Sequence, residues 1–365
     1  MKIAYLSAAS IPSRGANSVQ IMRMCSAMAQ LGHDVELHAV RAEQNGVSDF
    51  EFYASEPNFR IIKHTRRQIR VLGAVDYAAR MHRYFQRHAR PDFFYAREIY
   101  SLAAVSRLGV PFCFEVHWRP RNPLQHRLES WLLAQPSCRQ IVFISDALRQ
   151  LYRRLIPSLP AERMAVAHDA ADARSLVAPA LRSDSNGRPR VGYVGSFFAG
   201  YGIELVPALA ERLPGFDFTV IGGDPEGVQR FREQTRASSN LEFLGFVPPA
   251  RLPELYAKLD ILIAPYQATT PHIGWISPMK LFEYMAYGKP IVCADHPVLR
   301  EVLTNDVNSL LVAPSDLDAW CRALERLRDP QLRLALAQRA FEQVREHHTW
   351  DRRARDILAP ITLTA

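Results

Sequence analysis

The sequence predicts an α/β protein with two Rossmann-like domains. Short apolar segments alternate with amphipathic segments along most of the 365 residues, a pattern typical of mostly parallel sheets covered by helices. The alternation stops in the polar segment 182–190 (RSDSNGRPR) and then restarts. Since a chain of this length accommodates two domains, we place them at 1–185 and 186–346, followed by a C-terminal helix at 347–365.

The first domain opens with a strand, a helix and a second strand. KIAYLS (2–7) is the first strand, and the apolar residues of 18–32 (SVQIMRMCSAMAQLG) recur at helical spacing. Gly32 ends that helix, and DVELHAV (34–40) is the next strand. Further strands of the same apolar composition are predicted at 92–97, 111–117 and 140–145.

The second domain is predicted from five apolar segments, some of which run into glycine turns. These strands are RVGYVGS (190–196), FDFTVIGGD (216–224), NLEFLGF (240–246), DILIAPY (260–266) and PIVCAD (290–295). In parallel sheets, ligands bind at the carboxyl ends of the strands. We therefore expect those ends of the two domains to face each other across a cleft.

The composition excludes several classes of protein. Hydrophobic residues make up 48% and charged residues 22%, which is ordinary for a globular protein, and no apolar run approaches the ~20 residues of a membrane helix. The N-terminal MKIAYLSAAS predicts a first strand and no leader peptide. The five cysteines lack CxxC spacing, which predicts reduced thiols in the core of a cytoplasmic protein.

The net charge of +8 is concentrated in the segment 63–91, which holds eight basic residues and a single acidic one. Arg80, Arg83 and Arg87 lie on one side of a predicted amphipathic helix. Such a helix can face an anionic membrane, an anionic substrate or nucleic acid, or it can present a solvated face. No nucleic-acid-binding motif is visible, so we expect a peripheral contact with the inner face of the membrane and no nucleic acid.

A helix start with an unusual charge lies in SPMKLFEYMAYGKPIV (277–292). Ser277 suits the N-cap and Pro278 the first helical position, and Gly288 ends the predicted helix at about residue 287. Free N–H groups and a positive dipole at a helix start suit a phosphate. Lys280 in this turn opposes the dipole at a cost of about 0.3–1 kcal/mol. It is therefore either a second contact for a diphosphate or a residue that points into solvent.

Glu283 is the second charged residue of this helix, and apolar residues surround it. A carboxylate there needs a partner if it is buried. The two hydroxyls of a ribose would supply donors, and the alternative is an ion pair with an arginine.

Several motifs, in the same order along the chain, resemble those of the retaining glycosyltransferases of family 4, which have the two-Rossmann GT-B architecture. The segments that carry the resemblance are GANSVQIMRMCSAMAQLGHDVEL, FEVHW, VAHDAAD, YVGSF, LEFLGFVPPARLPELYAKLDILIAPY, SPMKLFEYMAYGKPIV and HHTWDRRARDIL. The resemblance implies a C-terminal helix that crosses back to the first domain, retention at the anomeric carbon, and a nucleotide-sugar substrate without a separate cofactor.

The resemblance also assigns residue roles. It implies that Glu283 binds the nucleotide ribose and that His117 approaches the donor sugar, with Lys280 completing the catalytic set. The expected donor-binding residues are Gly15, Asn17, Gly195, Ser196, Gly222, Gly223, Gly245, Phe246, Ser277, Pro278 and Met279. Glu98 and Arg119 are expected to contact the acceptor. Two alternatives stay open, since Gly15–Asn17 could be a plain strand-to-helix turn and His117 a buried structural histidine.

The sequence departs from the family pattern at the phosphate clamp. Trp275 occupies the position of a second glutamate. Ser196 or Phe197 lies near the position of a clamping arginine, and Tyr201 lies near that of a clamping lysine. Lys280 is the expected replacement. No strong DxD motif is visible, because Asp316 and Asp318 are typical helix-start residues, so we predict no required metal.

We therefore expect a retaining, metal-independent glycosyltransferase. The donor would be a nucleoside-diphosphate sugar, with UDP as the first candidate and GDP as the second. The acceptor would be a glycan or lipid-linked glycan of cell-surface polysaccharide synthesis. The alternatives are a nucleotide-sugar epimerase of the same fold, which would need clustered acid-base carboxylates, and a non-enzymatic basic binding protein.

Overall fold

The chain divides into two compact units. The computed structural model describes residues 1–42, 46–67, 70–180, 187–235 and 238–362. The first unit comprises Met1–Asp169 together with the segment that begins at Trp350, and the second comprises Ala170–Thr349. The predicted boundary between residues 185 and 186 lies outside the described residues.

A parallel sheet forms the centre of the first unit. Its strands are β1 (Lys2–Ile11), β2 (Asp34–Arg41), β3 (Arg60–His64), β4 (Phe93–Ala96), β5 (Phe112–Val116), β6 (Cys138–Phe143) and β7 (Met164–Val166). They are ordered β3-β2-β1-β4-β5-β6-β7. The order reverses between β1 and β4, which is where sheets of this kind bind ligands.

Helices connect these strands. They are α1 (Ala16–Gln30), α2 (Asp49–Phe52), α3 (Arg70–Arg87), α4 (Ile99–Val105), α5 (Pro123–Leu133) and α6 (Asp146–Leu155). As predicted, the first helix ends shortly before Gly32, whose φ of +86° suits glycine.

The second unit repeats the plan. Its parallel strands are β8 (Arg190–Val194), β9 (Asp217–Ile221), β10 (Leu241–Gly245), β11 (Ile261–Ala264), β12 (Ile291–Ala294) and β13 (Leu310–Val312). Their order is β10-β9-β8-β11-β12-β13, so the reversal falls between β8 and β11. The strands that face both helical layers are almost wholly apolar, as ILIA in β11 and IVCA in β12 illustrate.

The remaining helices follow in chain order. They are α7 (Leu205–Arg212), α8 (Pro225–Gln234), α9 (Leu252–Tyr256), α10 (Met279–Ala286), α11 (Leu317–Arg326), α12 (Pro330–His347) and α13 (Trp350–Thr362). The C-terminal helix α13 belongs to the first unit and packs against α1, as the sequence predicted. It begins at Trp350 instead of residue 347, because His347 is still part of α12.

The structure bears on two predictions, namely reduced cysteines in the core and no membrane-spanning helix. All five cysteines are free thiols, and only Cys321 is half-buried while the other four are buried. In the stretches that the structure describes, no helix is both long and apolar enough to cross a bilayer.

Candidate functional site

Glycine turns follow three neighbouring strands of the second sheet and lie against one another. Gly195 follows β8, Gly222 follows β9, and Gly245 ends β10, with φ values of +155°, +115° and +77°. The N–H of Gly222 donates to the carbonyl of Gly245 at 2.8 Å, and a Cβ on Gly222 would overlap the carbonyl of Gly195. A Cβ on Gly223 would lie 2.5 Å from the ring of Phe197. The predicted glycines are thus brought together where only glycine fits.

Helix α10 begins near these turns, one residue later than predicted. Pro278 occupies the N-cap position with an extended backbone (φ −82°, ψ 115°), and it makes no side-chain capping hydrogen bond. The prediction that Ser277 is the N-cap is therefore wrong, because the extended Pro278 keeps Ser277 outside the helix. The helix starts at Met279, and the N–H groups of a helix start suit an anion.

The side chain of Lys280 points inward, so the alternative that it points into solvent is wrong. Its Nζ is out of contact with solvent and has no hydrogen-bond partner among the described residues. The ring centroids of Tyr193, Tyr266 and Tyr201 lie 4.4, 5.0 and 5.7 Å from Nζ. A Cβ on Gly195 would lie 2.7 Å from Nζ, so the ammonium adjoins the first glycine turn. Burial lowers the pKa of Lys280 to about 8.

Glu283 lies one turn beyond Lys280 on α10 and is half-buried. Tyr256 Oη donates to Glu283 Oε2 over a long 3.5 Å, and the Tyr256 ring stacks on Tyr287 with centroids 4.2 Å apart. A hydrogen bond of that length is weak. The ribose role of Glu283 stays a prediction.

Ser196 and Phe246, which are also predicted to bind the nucleotide-sugar donor, directly follow two of these glycines and are exposed. Ser196 is exposed, and its carbonyl accepts from Tyr193 Oη at 2.7 Å. The side chain of Phe246 is 37% exposed immediately after β10. Both are therefore accessible to a ligand.

A buried charge network lies at the carboxyl end of β5 in the first unit. Glu115 Oε1 accepts from Gln20 Nε2 at 2.6 Å and lies 2.6 Å from His117 Nε2. Its Oε2 accepts from Arg353 Nη1 at 3.1 Å and from Tyr95 Oη. Burial alone would raise the pKa of Glu115, but Arg353 and His117 hold it well below its usual value. The carboxylate is therefore ionised.

This network fixes the state of His117. Burial, with the positive charge of Arg97, lowers the pKa of His117 to about 4, so its ring is neutral at pH 7. An ionised Glu115 can only accept, so His117 Nε2 carries the proton and Nδ1 is the acceptor nitrogen. Such an acceptor suits a sugar hydroxyl. The structural and functional interpretations of His117 are thus compatible.

The predicted loop Gly15–Asn17 joins the same network. Gly15 is the N-cap of α1, and its carbonyl accepts from the N–H of Ser18 at 3.0 Å. Arg97 Nη1 donates to the carbonyl of Asn17 at 3.3 Å and to Gln20 Oε1. Since Gln20 also donates to Glu115, one chain of hydrogen bonds connects this loop to His117.

The two predicted acceptor residues have different surroundings. Glu98 is the N-cap of α4, and its oxygens accept from the N–H groups of Tyr100 (2.8 Å) and Ser101 (2.7 Å). Burial raises the pKa of Glu98. These contacts give Glu98 a structural task, while Arg119 is exposed. Acceptor binding by either residue stays a prediction.

The sequence did not single out several residues that hold these groups in place. They are Glu115, Arg353, Tyr193 and Tyr266. One signal was available, because a charged residue inside the apolar strand PFCFEVH requires a buried partner. The identity of that partner, 238 residues away along the chain, depends on tertiary structure.

Helix α3 is amphipathic, as the sequence predicted. Tyr77, Met81 and Phe85 are buried, whereas Arg83 and Arg87 are exposed. Arg80 Nε forms an ion pair with Asp76 at 2.8 Å, one helical turn away. The outward face of α3 therefore carries exposed charge together with the exposed Val75.

Asp316 and Asp318 lie at a helix start, as expected. Asp316 is the N-cap of α11 and accepts from the N–H of Ala319 at 2.9 Å. Asp318 forms an ion pair with Arg212 at 2.5 Å.

Fold and site together define a class of α/β proteins with two Rossmann-like units, each with candidate residues at the carboxyl ends of its strands. Residues 188–329 match the family model described as glycosyl transferases group 1, and residues 15–170 match the glycosyl transferase 4-like domain. The chain belongs to the group 1 glycosyltransferases, as predicted.

Curated relatives match part of the chain. A D-inositol 3-phosphate glycosyltransferase of Salinispora tropica is 29% identical over 167 residues, covering 43% of this chain and 33% of the relative. A putative teichuronic acid biosynthesis glycosyltransferase, TuaH of Bacillus subtilis, is 30% identical over 119 residues, covering 32% and 30%. These matches span about a third of the relatives' length.

Solved structures match the whole chain. HepE of Anabaena, solved in complex with UDP and glucose, has a TM-score of 0.74 at 17% identity, with 99% of each chain covered. This likeness confirms the predicted fold class.

Proposed function

We propose that this chain transfers a sugar from a nucleoside-diphosphate donor to a glycan or lipid-linked glycan of cell-surface polysaccharide synthesis. UDP is the first candidate for the nucleotide and GDP the second. The observation that carries the proposal is the buried ammonium of Lys280 at the start of α10, beside the glycine turn at Gly195. A buried cation is costly unless an anion pairs with it, and a diphosphate would supply that anion.

The names of similar proteins support the donor and the acceptor class. HepE binds UDP and glucose in its solved complex, and TuaH is named for teichuronic acid biosynthesis. A nucleoside diphosphate and teichuronic acid biosynthesis are thus associated with proteins that are similar to this chain.

In the proposed reaction, the bond between the anomeric carbon and the β-phosphate oxygen breaks, and the acceptor hydroxyl oxygen bonds to that carbon. The hydroxyl proton passes to the departing phosphate, on the same face of the sugar, so the configuration is retained. Lys280 and the N–H groups at the start of α10 stabilise the charge that develops on the phosphate. These groups are present before the reaction, and we propose that no metal is required.

The other candidate residues would orient the substrates. Glu283 would accept from the ribose hydroxyls, and His117 Nδ1 would accept from a hydroxyl of the donor sugar. Fixing these groups in place lowers the entropic part of the barrier.

The acceptor side of the proposal includes a contact with an anionic membrane through the basic face of α3. Charge reversal of Arg83 and Arg87 should reduce binding to vesicles of anionic phospholipid and slow turnover on lipid-linked acceptors, because exposed arginines attract anionic headgroups. Arg80 pairs with Asp76, so Arg80→Glu should have a smaller effect. Unchanged vesicle binding and turnover after both reversals would refute the membrane contact.

The central experiment is a thermal-shift panel with UDP, GDP, ADP, CMP and TDP, each with Mg²⁺ and with EDTA. A ligand at about 100 times its Kd should stabilise the protein by roughly 2.7 kcal/mol. We expect one diphosphate to stabilise the wild type in EDTA, and Glu283→Ala to lose most of that effect. The exposed Glu254 provides a matched control, since Glu254→Ala should respond like the wild type. If no nucleotide shifts the wild type, the proposed donor class is wrong.

A further inference from the structure

The ammonium of Lys280 is enclosed by aromatic rings from three separate places in the second unit. Tyr193 belongs to β8, Tyr201 follows that strand, and Tyr266 follows β11. Their ring centroids lie 4.4, 5.7 and 5.0 Å from Nζ, each within the distance at which a cation interacts with a ring face. The strands that carry or precede these tyrosines flank the point where the sheet order reverses.

Other contacts hold the rings in place. Tyr193 Oη donates to the carbonyl of Ser196 at 2.7 Å. The rings of Tyr201 and Tyr266 meet edge to face, with centroids 5.3 Å apart and an interplanar angle of 71°. Tyr193 and Tyr266 are almost completely buried. The rings therefore form a preformed surround for the ammonium.

The three rings differ from an ion-pair partner in how much positive charge they leave available to a ligand. A carboxylate in contact with Lys280 would neutralise the charge before any ligand arrived. Ring faces are negative only through their quadrupole, so they stabilise the ammonium and leave its full positive charge in place. Tyr201 also stands near a position where many family members carry a clamping lysine.

We propose that Tyr193, Tyr201 and Tyr266 form an aromatic cage that positions the ammonium of Lys280 for the phosphates of the ligand. The three tyrosines are thus positioning residues for Lys280. The identity of the ligand rests on the proposed function, whereas the cage itself does not. The cage allows one inward-pointing lysine to replace a clamp made of loop cations.

The cage can be tested without any ligand by following the titration of Lys280. The sequence contains five lysines, so labelling with ¹³Cε-lysine gives few NMR signals, and the signal missing in Lys280→Met identifies Lys280. The other ionisable groups whose charges act on Lys280 are Cys293 and Glu283, and neither is altered in the test variants. The measured quantity is the pH at the midpoint of the Lys280 titration.

The variants change the charge distribution of one aromatic ring while its volume stays nearly constant. Tyr193→Phe would be compared with Tyr193→difluorophenylalanine and Tyr193→pentafluorophenylalanine, because fluorination removes the negative ring face without opening the site to water. We expect the Lys280 midpoint to fall stepwise along this series, by about one pH unit in total, since the ring favours the charged form. The same series at Phe243, a buried residue without a Lys280 contact, should leave the midpoint unchanged.

A second readout connects the cage to ligand binding. The Kd for UDP, and then for GDP, would be measured by calorimetry at pH 7 and pH 9 in the same variants. We expect Kd to rise three- to tenfold from phenylalanine to pentafluorophenylalanine at position 193, with no change in the Phe243 series. If fluorination at position 193 leaves the midpoint of the Lys280 titration unchanged, the cage is overturned even if nucleotides bind. A shifting midpoint without binding of either nucleotide would keep the cage and overturn the proposed function.

Discussion

Glu115 Oε1 lies 2.6 Å from His117 Nε2, while the other oxygen of the same carboxylate accepts from Arg353 Nη1 at 3.1 Å. One carboxylate thus fixes the tautomer of a candidate site residue and neutralises a buried arginine of the C-terminal helix. The site and the core of the first unit therefore depend on the same side chain.

The first prediction concerns that carboxylate. Glu115→Gln removes the strongest counter-charge of the buried Arg353, so we expect the free energy of unfolding to fall by about 3–5 kcal/mol. Urea denaturation monitored by circular dichroism measures this change. The exposed Glu254 is the matched control, and Glu254→Gln should change the stability by less than about 0.5 kcal/mol. A loss below 1 kcal/mol for Glu115→Gln would show that the arginine finds another partner.

The second prediction is that Lys280→Met stabilises the protein at pH 7 while weakening nucleoside-diphosphate binding. The pKa of Lys280 in the native state, about 8, lies below the 10.5 of an exposed lysine. Between these values the unfolded chain binds the additional proton, so the stability of the wild type rises with pH across that window. Replacing the buried cation should therefore add on the order of 1–3 kcal/mol at pH 7.

Denaturation at pH 7 and at pH 10 measures this effect of Lys280. The advantage of Lys280→Met over the wild type should shrink at the higher pH, where native Lys280 is neutral. An equal difference at both pH values would mean that burial does not perturb this lysine. Calorimetry with UDP tests the accompanying loss of affinity.

The third prediction concerns the glycine turns. Gly222→Ala places a Cβ against the carbonyl of Gly195 at a φ of +115°, so the backbone must shift and stability should fall by about 1–3 kcal/mol. Nucleotide affinity should fall as well, since Gly195 adjoins Lys280. Gly274 has open space around its α-carbon, and Gly274→Ala should change neither quantity. Equal stabilities of the two variants would argue against close backbone contact at the turns.

The fourth prediction is a loss of stability in mild acid. The pKa of His117 is lowered to about 4, from 6.5 in the unfolded chain, so the unfolded state binds the proton between these values. The free energy of unfolding should therefore decrease from pH 7 to pH 5, by about 1–2 kcal/mol from this residue. His64 and His168 also have pKa values lowered to about 4, mainly by burial, and act in the same direction.

His117→Gln provides the comparison, because it removes one titrating group and leaves the other two histidines. Its stability should decrease less steeply between pH 7 and pH 5 than that of the wild type. Asp169 acts in the opposite direction, since burial raises its pKa to about 7 and its contribution decreases stability as pH rises from 3.8 to 7. If both proteins respond identically to acid, His117 is not buried in the neutral form.

The interior strands and the edge strand β10 could be predicted from the sequence, whereas the edge strands β3, β7 and β13 could not. β4, β11 and β12 are continuous apolar segments because helices cover both faces of their sheets. β3 lies at the edge of the first sheet, and its sequence RIIKH has charged or polar ends and no buried residue. Such a strand resembles a loop until its neighbour is known.

The glycines and Lys280 of the candidate site could be singled out from the sequence, but their contacts could not be specified. The glycines and Lys280 belong to local motifs, whose backbone requirements are visible in the order of residues. The cage residues Tyr193 and Tyr266 come from strands that are neighbours only in the folded sheet. The helix start was displaced by one residue, because a proline can occupy either the N-cap or the first helical position, and backbone angles decide between them.

The position of Arg353 has a consequence for how the chain is made. A ribosome releases residues in order, so Glu115 emerges 238 residues before the arginine that neutralises it. The second unit is one continuous stretch, Ala170–Thr349, and all of it has been synthesised before Trp350. The first unit therefore begins before the second unit and is completed after it. Until Arg353 has been synthesised, the carboxylate of Glu115 lacks this counter-ion.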